Sequence, residues 1–513
     1  MKIHSPLCGT LTALALLSLI SPASNPALAQ DDSWSVSAAN WMQYWYHRPE
    51  PFDSLIFSDR LSRQDSLDNR FIVDFSLGEF YAGAWLRVLE PYRLSDSYEK
   101  LTQRYFGWNH NGLTIHAGNF YMTFDRGLTL NAFLDDVVNF DNNLDGVKVS
   151  GMLDHYDFDA FSARGLRFGS DERTYTLRGA RGAIKPLVGL KGGFSYVKFM
   201  QNNELEFGRV ANTNLTSFNT GINKGPIEIY GEYAWKRGRD AMGMKTDGDG
   251  TYLSGSISHS LASVYAEYEN IIRLAYPELL GNPEQGPFNL PPPVSHQGRS
   301  LISKYNARGS RSYQVGILSG AIENVNFDLA FSEQFSRGKI PSEYLSEKYG
   351  GVRWSPTDPL TLNFHWDRHD YTSNNGTDST GNSSEDEIEN YIDGYFYLSA
   401  AQTVSITTYT KRFTNETWLP GVGLFRDDYH EDYLILGYAT GSRFQLSVGG
   451  SLSNREPSTD PEKLAFVEMT LRFKWHELVV FHGGERGGLI CSSGICSFRP
   501  TFQGTRVILF SRF

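Results

Sequence analysis

Long apolar runs are the first thing this sequence lacks. Beyond residue 30 no stretch approaches the ~18 consecutive apolar residues of a spanning helix, which excludes a helical membrane bundle. Basic charge is short as well. The chain has 47 Lys and Arg against 58 Asp and Glu, a formal net charge of −11. A phosphate-binding face needs the opposite balance, so nucleic acid is excluded as a partner. Hydrophobic residues make up 40% and charged residues 20%, both below the roughly 45–50% and 25% of a soluble globular chain. What is plentiful is Tyr (28), Phe (33), Trp (10) and Gly (49). So many aromatics argue against disorder. A large β-rich protein survives these exclusions.

The N-terminus reads as an address. Lys2 gives a short positive region, Leu11 to Ile20 an apolar core of signal-peptide length, and Ala27-Leu28-Ala29 a small-residue cleavage site before Gln30. A membrane anchor fits less well because the apolar run is short and ends in small residues. A lipoprotein reading of Cys8 fails because the apolar run follows it. The expected organisation is therefore a signal peptide over 1–29 and one domain over 30–513. Cleavage removes Cys8 and leaves Cys491 and Cys496 in an oxidising compartment, where they can pair.

Period-two alternation runs through the rest. Phe71, Val73, Phe75 and Leu77 share one face, with Asp74 and Ser76 on the other. Leu360, Leu362, Phe364 and Trp366 alternate with Thr361, Asn363, His365 and Asp367, and Ala465 to Phe473 repeats the pattern. Alternation of this kind marks strands apolar on one side only. It predicts about 24 strands, in a range of 22–26.

Connections alternate in length. Tight turns are expected at Gly78-Glu79, Asn111-Gly112, Lys185-Pro186, Asn223-Lys224-Gly225, Thr357-Asp358-Pro359 and Thr440-Gly441-Ser442. Long polar loops are expected near 47–68, 122–143, 272–309, 372–387, 413–429 and 483–500. A soluble sandwich has no reason to sort loop length by parity, whereas an outer-membrane barrel does. Aromatics near strand ends (Trp41, Tyr44, Trp45 and Tyr46; Trp235; Tyr395-Phe396-Tyr397) suit the two membrane–water interfaces. The fold class is all-β: one large antiparallel transmembrane barrel. The final strand, Val507 to Phe513, resembles the C-terminal assembly signal of bacterial outer-membrane barrels, although Ser511 stands where an apolar residue is usual. That resemblance implies a barrel-assembly machinery as a partner beside outer-membrane lipid, with Phe513 as the signal.

Three stretches carry a family resemblance: Gly118-Asn119-Phe120-Tyr121-Met122-Thr123-Phe124-Asp125-Arg126-Gly127-Leu128, Asp141 to Val149, and Arg486 to Cys496. They resemble an uncharacterised family of bacterial outer-membrane-type barrels, a domain of unknown function. The resemblance implies the architecture and a Gram-negative-type outer membrane, and carries no activity with it.

Chemistry-bearing patterns are sparse. Asp141 to Gly146 fits the opening of a calcium loop, but Met152 occupies the position where a bidentate Glu belongs, so a polar loop entering a strand is the better reading. Asp247-Gly248-Asp249-Gly250 is weaker still. His365, Asp367 and His369 fall on one lumenal strand face. Residues two apart on a strand lie roughly 6.5–7 Å apart, so a shared metal needs help from neighbouring strands. A solvated pore wall is the simpler reading. Glu228, Glu232, Glu267 and Glu269 are lumenal in the same way; clustered, they favour cations, and isolated, they are ordinary interior polar groups. No Gly-x-Ser-x-Gly elbow or CxxC pair appears. The reading is non-enzymatic, without metal or cofactor.

Barrel size poses the functional question. A barrel of this strand number left empty breaches the membrane. Strand-like sequence starts soon after the cleavage site, leaving no N-terminal plug domain and arguing against a TonB-dependent receptor. Two loops are too apolar for a solvated surface. Met122 to Asn143 carries Arg126, Leu128, Leu130, Phe133, Leu134, Val137, Val138 and Phe140; Arg273 to Ser303 carries Tyr276, Leu279, Leu280, Phe288, Leu290 and Pro291-Pro292-Pro293. Either they fold inward as a constriction or lid, or they pack on each other or a partner above the rim. The expected function is a pore or passive transporter for small polar solutes, or else a non-conducting scaffold whose loops bind a protein or glycan.

Cys491 and Cys496 enclose four residues in the last long loop, a spacing that suits a local hairpin disulfide. Intact-mass analysis of the unreduced exported protein is expected to show a chain starting at Gln30 and lighter by two hydrogens. Two alkylatable thiols would refute the pairing.

Overall fold

The computed structural model describes residues 34–47, 65–90, 98–135, 140–165, 175–201, 211–239, 243–276, 288–292, 294–295, 309–337, 342–374, 383–419, 423–454, 463–486, 488–492, 495–499 and 501–513. Twenty-four strands form one antiparallel sheet. The first, Trp34–His47, pairs with the last, Phe502–Arg512, in a ladder from Ala39↔Arg512 to His47↔Gly504. Beyond it the Phe513 amide donates to the Ala38 carbonyl at 2.7 Å and the Ala38 amide to the Phe513 carbonyl at 3.1 Å. The sheet thus closes on itself and has no edge. At about 4.8 Å between strands and a tilt of about 40°, it encloses a cylinder about 48 Å across at the backbone.

Alternation sorts the side chains between the two faces. On neighbouring strands Phe218, Ile229, Tyr233, Leu253, Ile257 and Val264 are exposed outward, where lipid meets them, while Ser217, Asn219, Glu232 and Glu269 are buried inward. Low aliphatic content and a mean hydropathy of −0.37 follow from this division, because only every second residue needs to be apolar.

Connection length segregates by rim. One rim has two-residue turns such as 78–79, 111–112, 188–189, 225–226, 323–324 and 400–401; the other has 48–64, 121–143, 273–309 and 486–501. Asn111 and Gly112 both take left-handed backbone angles (φ 48° and 79°), as a two-residue type I′ hairpin requires.

The structure corrects three local expectations. Lys185-Pro186 is not a turn: it belongs to the strand Tyr175–Leu187, whose register shifts after Ile184, and the chain reverses at 188–189. Strand also occupies 372–374 and 383–387 of one expected loop, and 413–419 and 423–429 of another. Ser383–Ser399, Gln402–Leu419 and Gly423–Thr440 run 17, 18 and 18 residues, well beyond the about 9–11 a tilted strand needs to cross. Their surplus stands clear of the lipid, where the outward face turns polar. Arg368 bridges Asp370 and Asp386 at 3.2 Å each, Arg426 bridges Asp428 at 3.3 Å, and His430 meets Asp432 at 3.0 Å. Polarity on both faces erases the alternation, which is why these strands read as loops.

The faces are testable. Leu436→Arg, on the outward face, is expected to cost about 2–4 kcal/mol of folding free energy in vesicles, whereas Asn363→Arg, facing the lumen, stays within about 1 kcal/mol of the parent. Urea titrations of folding into lipid vesicles measure both. Equal costs would reverse the assignment of faces.

Candidate functional site

The loop 121–143 leaves the strand Leu113–Phe120 and returns into Leu144–Met152 through a polar neck. Asp141 Oδ1 accepts from the Tyr121 hydroxyl at 3.1 Å, from the Asn143 amide at 2.9 Å and from Asn143 Nδ2 at 3.0 Å, and Asn119 Nδ2 donates to Asn143 Oδ1 at 2.9 Å. The calcium-like sequence is therefore a clamp made of its own hydrogen bonds. Among the described residues no group of three or more His, Cys, Asp and Glu side chains could hold a metal ion.

Past the neck, the chain makes a tight hairpin. The Phe124 amide donates to the Leu130 carbonyl at 2.9 Å and Gly127 to Phe124 at 2.8 Å. Asp125 (φ 51°) and Gly127 (φ 89°) take left-handed conformations at its tip, which Asp tolerates and Gly adopts freely. Phe124, Leu128 and Leu130 are wholly buried. They pack on inward-facing Phe161, Leu177, Val197, Phe199, Leu215, Ala234, Tyr252 and Ile271. The hairpin lies inside the barrel, against its wall.

The second apolar loop completes the cluster with Leu274, Ala275, Tyr276, Phe288, Leu290 and Val294. Asn289 joins the two loops: its Nδ2 donates to the Leu128 and Leu274 carbonyls at 2.9 and 3.2 Å, and its Oδ1 accepts from the Tyr276 amide at 2.8 Å. The Asn131 amide donates to the Phe288 carbonyl at 2.6 Å and the Leu290 amide to Gly127 at 2.8 Å. The loops fold as one plug.

Polar groups fix the hairpin tip to the wall. Asp125 accepts from Arg181 Nε at 3.0 Å and Asn219 Nδ2 at 2.8 Å, and Arg181 also reaches Asp159 at 3.0 Å. Glu232 Oε2 accepts from the Arg126 amide at 3.1 Å and the Tyr230 hydroxyl at 2.9 Å. Thr129 meets Ser195 at 2.7 Å. With its backbone held, Arg126 extends an exposed guanidinium over Tyr252 and Tyr230, 5.1 and 5.6 Å from the ring centres.

The remaining sequence candidates separate. Glu228, Glu232, Glu267 and Glu269 all face inward, but Glu232 and Glu269 are buried, Glu267 is half-buried and Glu228 is exposed near the short-turn rim. They form no single acidic ring. His365 Nδ1 meets the Tyr349 hydroxyl at 2.8 Å. Four residues on, His369 Nε2 pairs instead with Glu387 at 3.0 Å, and Asp367 lies 4.0 Å from His369. Among the constriction candidates Phe288 is buried in the plug core, Phe133 is half-buried with its amide on Asn142 Oδ1 at 2.6 Å, Pro291 is buried and Pro292 exposed. Pro293, Val137, Val138, Leu279 and Leu280 lie outside the described residues. Cys491 and Cys496 are direct backbone partners in a small hairpin, with side chains outside the described residues.

Sequence reasoning missed Asp125, Asn289, Arg181 and Asn219. The available signal was weak: a charged Asp-Arg-Gly tip, and one Asn between apolar neighbours, in loops otherwise too hydrophobic for water.

A model described as a family of unknown function (DUF6029) matches residues 12–297. That range holds Gly118–Leu128 and Asp141–Val149 and ends before Arg486. Among solved structures, a chain of the E. coli P pilus tip assembly intermediate PapC-PapD-PapK-PapG aligns over 95% of this chain and 62% of its own, at 10% identity and a TM-score of 0.50. This chain thus spans less than two thirds of that one. Pseudomonas aeruginosa OccK8 (OprE) aligns over 66% of this chain and 94% of its own at 13% identity, with a TM-score of 0.42. The P. aeruginosa siderophore receptor PirA aligns over 94% and 81% at 8% identity, with a TM-score of 0.44. At these identities the likeness is one of fold. None of the curated proteins matches.

Phe288→Ala is expected to loosen both loops together, because Phe288 anchors the second loop on wall residues Tyr175 and Phe199 while its carbonyl accepts from the Asn131 amide of the first. A loss of about 3 kcal/mol speeds local opening by about a hundredfold. Hydrogen-exchange mass spectrometry of the folded barrel reads this at 124–131; unchanged exchange there would mean that the loops do not support each other.

Proposed function

The chain belongs to the DUF6029 family of unknown function, and we propose that it works as a non-enzymatic outer-membrane pore, a passive transporter of small polar solutes in a Gram-negative-type bacterium. The observation that carries this reading is the one-sided plug. Its core rests on nine consecutive strands, from Leu113–Phe120 to Ala262–Ile272, each contributing a buried inward side chain. In a barrel of twenty-four strands such a plug narrows the lumen from one side. The facing wall carries half-exposed polar groups, among them Asn363, His365, Tyr391 and Tyr409, which suit water and polar solutes. Arg126, exposed at the plug tip, puts a cation beside that path.

A scaffold reading draws support from the strands between Ser342 and Thr440, which rise above the lipid with charged outer faces. Planar-bilayer recording separates the two. A pore gives ohmic current, and deleting 275–300 is expected to raise unit conductance at least twofold, with circular dichroism and heat-shifted gel mobility reporting an intact barrel. A silent, folded parent protein would favour the scaffold. Unchanged conductance after the deletion would remove the plug from the constriction.

A further inference from the structure

Beyond the sector that the plug core covers, the inner wall carries a row of rings, starting on the strand Ser342–Thr357, where Ser295 of the second loop donates to Glu347 at 2.6 Å. His365, Tyr391, Tyr409 and Tyr433 are successive direct partners across four strands, all on the face turned away from lipid-exposed Phe364, Ile392, Ile406 and Leu434. Tyr349 joins through its hydroxyl on His365. Ring centres along the series lie 6.1, 5.7, 6.4 and 5.3 Å apart. Tyr349, His365, Tyr391 and Tyr409 are only partly covered. Because the row runs across tilted strands, it climbs as it goes: five strands span about 19 Å of wall and about 12 Å along the barrel axis. Its first two rungs, Tyr349 and His365, open into a cavity of about 380 Å³ shared with Asn326, Asp328 and Arg353.

Polar tiers flank the rings. On one side the register places Asp367, Glu389 and Lys411, and on the other Asn363, Asp393 and Thr407. Several of these groups have partners within the wall, and Lys411 is the one cation among them. Lys411 Nζ lies 3.4 Å from Glu389, the Tyr409 hydroxyl donates to Glu389 at 2.7 Å, and Thr407 donates to Asp393 at 2.5 Å.

We propose that this climbing row is a binding track for a neutral, linear carbohydrate, the substrate class of the pore; the assignment rests on the pore reading for its role and on the wall alone for the site. Two features select the ligand. The rings stand in line, inclined 33°, 55°, 66° and 62° to one another, instead of converging on a point, so they offer alternating ring faces and edges to an extended chain of sugar rings and no cage for a cation. The flanking carboxylates retain lone pairs that accept hydroxyl hydrogens, and because they outnumber Lys411 they disfavour an acidic sugar. Apolar faces between hydrogen-bonding edges match the two kinds of surface on a pyranose.

Calorimetric titration of the detergent-solubilised barrel with maltohexaose tests the site without requiring conduction. Binding is expected, with affinity at least tenfold weaker in Y391A and Y409A, largely kept in Y391F, and unchanged in the lipid-facing F218A. The same sugar is expected to reduce open-channel current in bilayers. Absence of maltohexaose binding to the parent, equal affinity in Y391A, or tetraethylammonium binding in its place overturns the track. Sugar binding to a barrel that passes no current would overturn the pore and leave the site standing.

Discussion

Inside hydrocarbon a backbone N–H or C=O has no water to fall back on, and each group left unpaired costs several kcal/mol. Everything else in this protein follows from meeting that demand with strands. Closure between Trp34–His47 and Phe502–Arg512 leaves the sheet no edge. Once closed, the sheet has an outside that must be apolar and an inside free to be anything. With twenty-four strands, the inside is too wide for side chains alone to fill. The wide lumen is thus a by-product of the strand number, and the protein has to manage it.

It does so by moving a hydrophobic core off the wall and into the loops. Phe124, Leu128, Leu130, Leu274 and Phe288 would be a liability on a solvated rim; folded inward they find Val197, Phe199, Leu215 and Ile271 waiting on faces that an empty lumen would leave wet. The nine supporting strands therefore break the polar-inside rule along one sector, while the sector opposite keeps it. The lumen becomes two-sided, with one wall built to hold protein and the other to meet solvent. The tyrosine row belongs to the second wall.

The architecture was legible because alternation of apolar and polar residues is forced at every crossing, and the turns between Leu77 and Phe80 or His110 and Leu113 have to be short. Legibility failed where that forcing stops. Above the lipid, Arg368, Asp386, Arg412 and Asp428 occupy outward positions, so strands continued where the pattern said loop. The apolar loops were recognisable by composition, since Leu128, Leu130, Phe288 and Leu290 have no place in water. Their docking was not. Asp125 meets Arg181 and Asn219, 56 and 94 residues away, and no local rule connects them. The four lumenal glutamates show the same limit: period two gave the face of Glu232 and Glu269, but burial beneath the plug depends on a loop elsewhere.

Whether the plug is a fixed constriction or a lid turns on which of its contacts dominate. The polar latch at Asp125 and Glu232 exchanges for water on opening, and hydrogen bonds of this kind contribute about 1 kcal/mol each, up to about 3 where a partner is charged. Leu128, Leu130, Phe124, Leu274 and Phe288 each lose about 1.5–3 kcal/mol if re-exposed, and Asn289 ties the two loops so that they lose it together. A solute shifting a closed plug from 99:1 to 1:99 must favour the open form by about 5.5 kcal/mol, a large demand on a weakly held small molecule. The apolar contacts outweigh the latch, and they sit on both loops at once. The plug therefore fits a permanent narrowing better than a gate, and under the proposed pore function discrimination among solutes falls to the residues it leaves uncovered, Arg126 at its tip and the ringed wall beyond it.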